Sequence, residues 1–285
     1  MSDKSSDNFT AQPDTESSAD PGMSKSDPIL TISNLVRSFG GLRAVDVDEL
    51  QVQRGIITAF IGPNGAGKTT LFNLITGFDK PDSGSWDFDG ISLSNMAPHQ
   101  IAKKGMVRTF QLTKSLAKMT VIDNMLLGAS EQRGESLRNA LIPSRWQAQE
   151  RVILEKAEDL LARFNLAHMR DEYAATLSGG QRKLLEMARA LMSEPTLILL
   201  DEPMAGVNPV LVQSLLQHIQ DLRDEGVSVL FIEHDMDAIM GISDWIVVLA
   251  EGKVIAEGTP SDVSKNPAVI DAYLGSTVAE ELKDV

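Results

Sequence analysis

Residues 56–69 read Ile-Ile-Thr-Ala-Phe-Ile-Gly-Pro-Asn-Gly-Ala-Gly-Lys-Thr, and this stretch decides the fold. Its first half, Ile56 to Ile61, is a short run of mostly apolar, partly β-branched residues, the pattern of a buried strand. Its second half, Gly62-Pro63-Asn64-Gly65-Ala66-Gly67-Lys68-Thr69, has the P-loop spacing and leads into a helix starting near Lys68. Glycines let successive backbone N–H groups converge on phosphate oxygens at a helix N-terminus. Lys68 adds a point charge for the outer phosphates, Thr69 offers its hydroxyl to Mg²⁺, and Thr70 completes the phosphate-binding set. A nucleoside triphosphate on an α/β fold is implied; the loop by itself does not name the base.

Two further stretches follow. Leu197-Ile198-Leu199-Leu200 reads as a buried strand ending in Asp201-Glu202, which its end would carry beside the P-loop. Asp201 suits Mg²⁺ held through water, and Glu202 suits a base or orienter for an attacking water. Leu177-Ser178-Gly179-Gly180-Gln181 opens a helix running through Leu184, Leu185, Met187, Ala188 and Leu191. Taken alone, that opening is a Ser-capped helix after a glycine turn.

In this order the three motifs resemble the defining set of the ATP-binding cassette family. The resemblance implies a P-loop NTPase nucleotide-binding domain: an α/β RecA-like core, an antiparallel β subdomain and an inserted helical subdomain. It implies ATP with Mg²⁺, and a Ser178-Gly179-Gly180-Gln181 segment that covers the γ-phosphate held by another subunit's P-loop. Gln111, after the strand-like Met106 to Phe110, resembles the family's Q-loop glutamine, and His234, after Val227 to Ile232 and Glu233, its switch histidine. Phe39, before Gly40-Gly41, stands where cassettes carry an aromatic ring stacked on adenine. The catalytic set so implied is Glu202, His234, Lys68 and Gln111, with Thr69, Gln111 and Asp201 toward the metal.

Finer detail resembles the LivG-type ATP-binding subunits of bacterial branched-chain amino acid importers. The carrying stretches are 38–45 (SFGGLRAV), 108–111 (RTFQ), 202–209 (EPMAGVNP) and 266–275 (NPAVIDAYLG). Asn208 stands where most cassettes have aspartate, as in that branch. The branch implies transmembrane permease subunits and a second cassette, self or sister, as partners. It also implies an indirect solute-binding protein, no nucleic acid, and a peripheral place on the cytoplasmic face of the inner membrane. Urea, amides or an exported lipid remain open as alternative cargo, as does a soluble role without transport.

Around these motifs, residues 1–28 read as a disordered acidic Ser-rich tail, since few large apolar side chains offset the entropy of ordering. Residues 29–275 form the cassette: 29–111 and 193–260 the core and β subdomain, 112–192 the helical subdomain, 261–275 C-terminal helices. Residues 276–285 are a second tail. The chain has 42% hydrophobic residues, which places it among globular proteins, and no cysteine, which excludes disulfides and thiolate metal sites. A net charge of -14 argues against nonspecific nucleic-acid binding. No apolar run approaches the roughly 18 residues of a membrane helix. His99, His168 and His218 read as surface or packing residues with no metal-ligand spacing. A GTPase or kinase would leave Ser178-Gln181 unexplained, and a non-hydrolysing sensor would not need Glu202 and His234.

Overall fold

In a computed structural model, residues 20–109, 116–130 and 147–273 are described. β1 (Pro28–Phe39) and β2 (Leu42–Gln53) form a long hairpin, joined by β4 (Ser83–Phe88) and β5 (Ile91–Ser92) in an antiparallel sheet ordered β2-β1-β4-β5. The second sheet has six strands in the order β10-β9-β3-β8-β7-β6. Its strands β3 (Ile57–Ile61), β6 (Met106–Arg108), β7 (Leu197–Asp201), β8 (Ser228–Ile232) and β9 (Trp245–Ala250) are parallel. β10 (Lys253–Gly258) returns antiparallel through the turn at Glu251-Gly252 and forms one edge.

The central strands look continuously apolar because both faces are covered. Ile198 and Leu200, Val229 and Phe231, and Ile246 and Val248 enter one core. Their alternates Leu197 and Leu199, Leu230 and Ile232, and Val247 and Leu249 enter the other, beneath the antiparallel sheet and α1 (Lys68–Ile75). Each strand thus supplies two cores at a period of two. α2 (Pro98–Lys103) precedes β6. The helical side contains α3 (Val121–Leu126), α4 (Gln147–Arg163) and α5 (Gly179–Leu191). α6 (Pro209–Asp224), capped by Asn208, and α7 (Met236–Ile242), capped by Asp235, complete the core layer. After α8 (Pro260–Val263), residues 267–273 are again helical.

The tail expected to reach residue 28 is shorter where the structure describes it. Glu257, fully buried, accepts the backbone N–H groups of Gly22 and Met23 at 2.8 and 2.9 Å and the Lys25 ammonium at 2.9 Å. Trp245 donates to the same carboxylate at 2.9 Å, and the Lys25 ammonium lies 3.6 Å from a Trp245 ring centroid. A buried carboxylate needs such donors, and this short segment supplies them.

Candidate active site

The loop between β3 and α1 is close-packed as well as glycine-rich. Gly62 has φ 146°, and a Cβ there would lie 2.0 Å from the Leu249 carbonyl oxygen. Gly67 has φ 97°, and a Cβ there would lie 2.2 Å from the Ala44 carbonyl oxygen. Only glycine fits either place, so the loop is locked between β2 and the β9–β10 turn. Lys68 is buried and donates to the carbonyls of Gly62 and Pro63 at 2.6 and 3.0 Å. Burial pulls its ammonium below the ordinary lysine range, and the charges of Glu202 and Asp201 partly offset this. The Tyr273 phenol is raised by burial and hydrogen-bonded to the Gly62 backbone, so the C-terminal helix bears on the loop.

One cavity of about 200 Å³ is lined by Asn64, Gly65, Gly67, Lys68, Thr69 and Thr70 of the loop together with Ala44, Ala66, Glu202 and His234. The structure therefore unites the P-loop, the carboxylate after β7 and the histidine after β8. Glu202 has φ 46°, a left-handed conformation that is uncommon outside glycine. Its N–H donates to the Ile232 carbonyl at 3.0 Å, its own carbonyl accepts from Lys183 at 3.3 Å, and its Oε1 lies 3.0 Å from His234 Nε2. Glu233, buried beneath them, accepts from the N–H groups of Met204 and His234 at 2.8 and 3.1 Å. Burial raises the Glu233 carboxyl above the ordinary glutamate range, and those two bonds partly offset it. The loops bearing Glu202 and His234 are thus pinned to one buried side chain that motif reading passed over; its adjacency to His234 was the available signal.

A neighbouring cavity of about 300 Å³ joins Thr69, Asp201 and Glu202 to Arg108, Thr109, Lys183 and Glu186. The hydroxyl and carboxylate oxygens of Thr69 and Asp201 on one wall are hard donors of the kind Mg²⁺ takes. No group of three or more His, Cys, Asp or Glu side chains suited to a metal occurs among the described residues. A cation completed by nucleotide and water fits these donors.

Ser178 caps α5: its Oγ accepts from the Gln181 N–H at 3.2 Å, and the Gln181 side chain accepts from the Ser178 N–H at 2.9 Å. Gly180 is small for packing, since a Cβ would lie 2.5 Å from Leu211 Cδ1. Ser178, Gly179, Gly180 and Gln181 do not line the P-loop cavity of their own chain. Phe39 is 47% exposed on the β1–β2 hairpin, outside that cavity's lining, with the Arg37 guanidinium 4.6 Å from its ring centroid. Gln111 lies outside the described residues. His99 and His168 are exposed, while His218 is buried 4.3 Å from the Phe164 ring, all in keeping with surface or packing roles.

Strand, glycine loop, helix and a facing carboxylate strand define a P-loop nucleotide-binding protein. The family model described as ABC transporter matches residues 45–205, and one described as branched-chain amino acid ATP-binding cassette transporter matches residues 253–279. A probable branched-chain amino acid transport ATP-binding protein, LivG, of Archaeoglobus fulgidus is 45% identical over 252 residues, covering 88% of this chain and 97% of that protein. The high-affinity branched-chain amino acid transport ATP-binding protein BraF of Pseudomonas aeruginosa is 42% identical over 250 residues, covering 87% and 98%. The crystal structure of an ATP-binding cassette of an ABC transporter in its ADP conformation superposes with a TM-score of 0.76 at 40% identity, covering 87% of this chain and 99% of that one. The chain belongs to the ABC transporter ATP-binding protein family, and is an ATP-binding, ATP-hydrolysing cassette.

Proposed function

We propose that this cassette powers import of branched-chain amino acids by binding and hydrolysing ATP in a face-to-face pair with a second cassette, its own copy or a sister. The observation that carries the hydrolytic part is the 3.0 Å approach of His234 Nε2 to Glu202 Oε1 in the cavity that holds Lys68 and Thr69. In this reading the P-loop from Gly62 through Thr70 grips the phosphates and Lys68 turns from its loop carbonyls to them. Phe39 stacks on adenine. Glu202 orients water and accepts its proton, while His234 fixes Glu202 and the γ-phosphate. Mg²⁺ supplies charge neutralisation on the phosphates, and Thr69, Asp201 and Gln111 are the side chains assigned to it.

Support for the pair comes from the separation of the two half-sites: the Ser178–Gln181 helix tip is capped and does not line its own P-loop cavity. A partner's nucleotide would meet that tip, and closure would be favoured by ATP and released by hydrolysis.

Permease subunits would dock in a cleft of about 620 Å³ between α2 and β6 on one side and α3 and α5 on the other. Phe78, Ile101 and Leu127 give it apolar walls, a surface suited to the apolar face of a short helix. No helix among the described residues is long and apolar enough to cross a membrane, so attachment to the cytoplasmic face would run through those subunits, and a solute-binding protein would act only through them. The amino-acid cargo rests on the relatives' names. The test is purification with the membrane subunits: leucine-type amino acids should raise ATP hydrolysis in the assembled complex. Stimulation by urea or amides alone, or a complex with no membrane subunit, would contradict this assignment.

A further inference from the structure

The docking cleft and the metal-side cavity share a wall. Arg108, Thr109 and Glu186 line both. Arg108 is the last residue of β6, the edge strand of the six-stranded sheet, and pairs in register with Leu199 of β7. Asp201, which ends β7, is two residues further on. The Arg108 guanidinium spans the gap: Nη2 lies 2.6 Å from Asp201 Oδ2 and Nη1 lies 2.6 Å from Asn73 Oδ1. Its side chain is 7% exposed and that of Asp201 22% exposed, so this pair is poorly screened by solvent and strongly directional.

Asn73 gives the guanidinium a fixed second foothold. It lies within α1, the helix that opens with Lys68 and Thr69. Its backbone carbonyl accepts from the N–H groups of Phe78 and Asp79 at 2.8 and 3.1 Å, and Phe78 is on the wall of the docking cleft. One rigid planar fork therefore ties the P-loop helix, the cleft wall and the carboxylate at the end of β7. Lysine, a point charge, could not reproduce that geometry.

We infer that Arg108 is a positioning residue that aims Asp201 at the nucleotide-bound cation and passes displacement of the cleft wall to that carboxylate. This rests on the proposed metal role of Asp201 and the proposed docking role of the cleft. A competing cation is Lys68, whose ammonium already feels the charges of Glu202 and Asp201. With Arg108 removed, Asp201 is drawn toward Lys68, which takes the carboxylate from the metal and the ammonium from the phosphates.

The test is Mn²⁺ binding to the full chain with a hydrolysis-resistant ATP analogue, followed by electron paramagnetic resonance. Arg108→Gln should weaken Mn²⁺ by about tenfold or more, the usual scale for losing an outer partner of a metal-binding carboxylate. Arg108→Lys should recover much of that affinity because the positive charge remains, which also separates the effect from misfolding. In the assembled complex with membrane subunits, Arg108→Lys should bring the ratio of solute-stimulated to basal ATP hydrolysis down toward one, since Asn73 and Asp201 are no longer gripped together. Mn²⁺ affinity in Arg108→Gln equal to wild type, with Asp201→Asn weakened, would overturn the positioning role. Equal affinity in Asp201→Asn would bring down the metal reading beneath it, and an unchanged stimulation ratio in Arg108→Lys would overturn the coupling.

Discussion

Lys68 donates to the carbonyls of Gly62 and Pro63, and these bonds hold its own loop in shape. Transfer of that ammonium to a triphosphate is worth about 1.5–3 kcal/mol for a charge-assisted bond, so Lys68→Ala should lose roughly ten- to a hundredfold in ATP affinity by equilibrium titration. Affinity equal to wild type would remove Lys68 from the phosphate site. Glu202 is held in a left-handed conformation with its carboxylate 3.0 Å from His234, a cost that a merely structural acid at a strand end would not need to bear. Glu202→Gln keeps size and hydrogen bonding but cannot take a proton; it should bind ATP normally and release phosphate about 10²–10⁴-fold more slowly. Turnover at the wild-type rate would assign the proton elsewhere.

Among the elements, α5 is where stability and function can be pulled apart. Ser178→Ala removes the cap and should cost about 0.5–2 kcal/mol in denaturant unfolding. Ser178→Asp keeps a capping oxygen but sets a negative charge against the partner's γ-phosphate, so it should retain stability and lose ATP-driven pairing; full pairing in that variant would move the phosphate contact away from this helix tip. Strands β3, β7 and β8 were legible because burial on both faces writes them as nearly continuous apolar runs. β4 was not, since in Ser83–Phe88 only Trp86 and Phe88 are buried and the rest is polar or glycine. Segment 22–25 was not, because its hold on Glu257 uses backbone N–H groups and one lysine acting across 232 positions, which leaves no local pattern. Of the site, the P-loop, Asp201, Glu202 and His234, which line the two adjoining cavities, stood in motifs of fixed spacing or order. Arg108, Glu233 and Asn73 were not assigned roles, because their contacts form only once β6, β7, β8 and α1 are folded together. Gly180 belongs to the glycine turn that opens its helix, and its packing against Leu211 became visible only with α6 in place.

At the scale of the molecule, Glu186 records how the helical side meets the core. It is 4% exposed, and its Oε1 has no hydrogen-bond partner among the described residues. Burial raises its carboxyl above the ordinary glutamate range, against the opposing charges of Lys183 and Arg189. A raised folded-state value means that its favourable contribution is complete below the ordinary glutamate range and is lost as pH rises through the raised value. Glu186→Gln should therefore raise the melting temperature at mildly alkaline pH, with the gain shrinking as the solution is acidified into the carboxylate range. A gain independent of pH would show that the carboxyl is not carrying the burial penalty.

The Ser178–Gln181 tip does not line the P-loop cavity of its own chain, so ATP should be the adhesive between two copies or between this chain and a sister. Sedimentation of the Glu202→Gln full chain with MgATP, alone and with any cassette that co-purifies with it, tests this most directly. The predicted result is a two-cassette species carrying two nucleotides, dispersed by replacing ATP with ADP or by adding Lys68→Ala. A single cassette that binds ATP to saturation and stays single under both conditions would contradict the account.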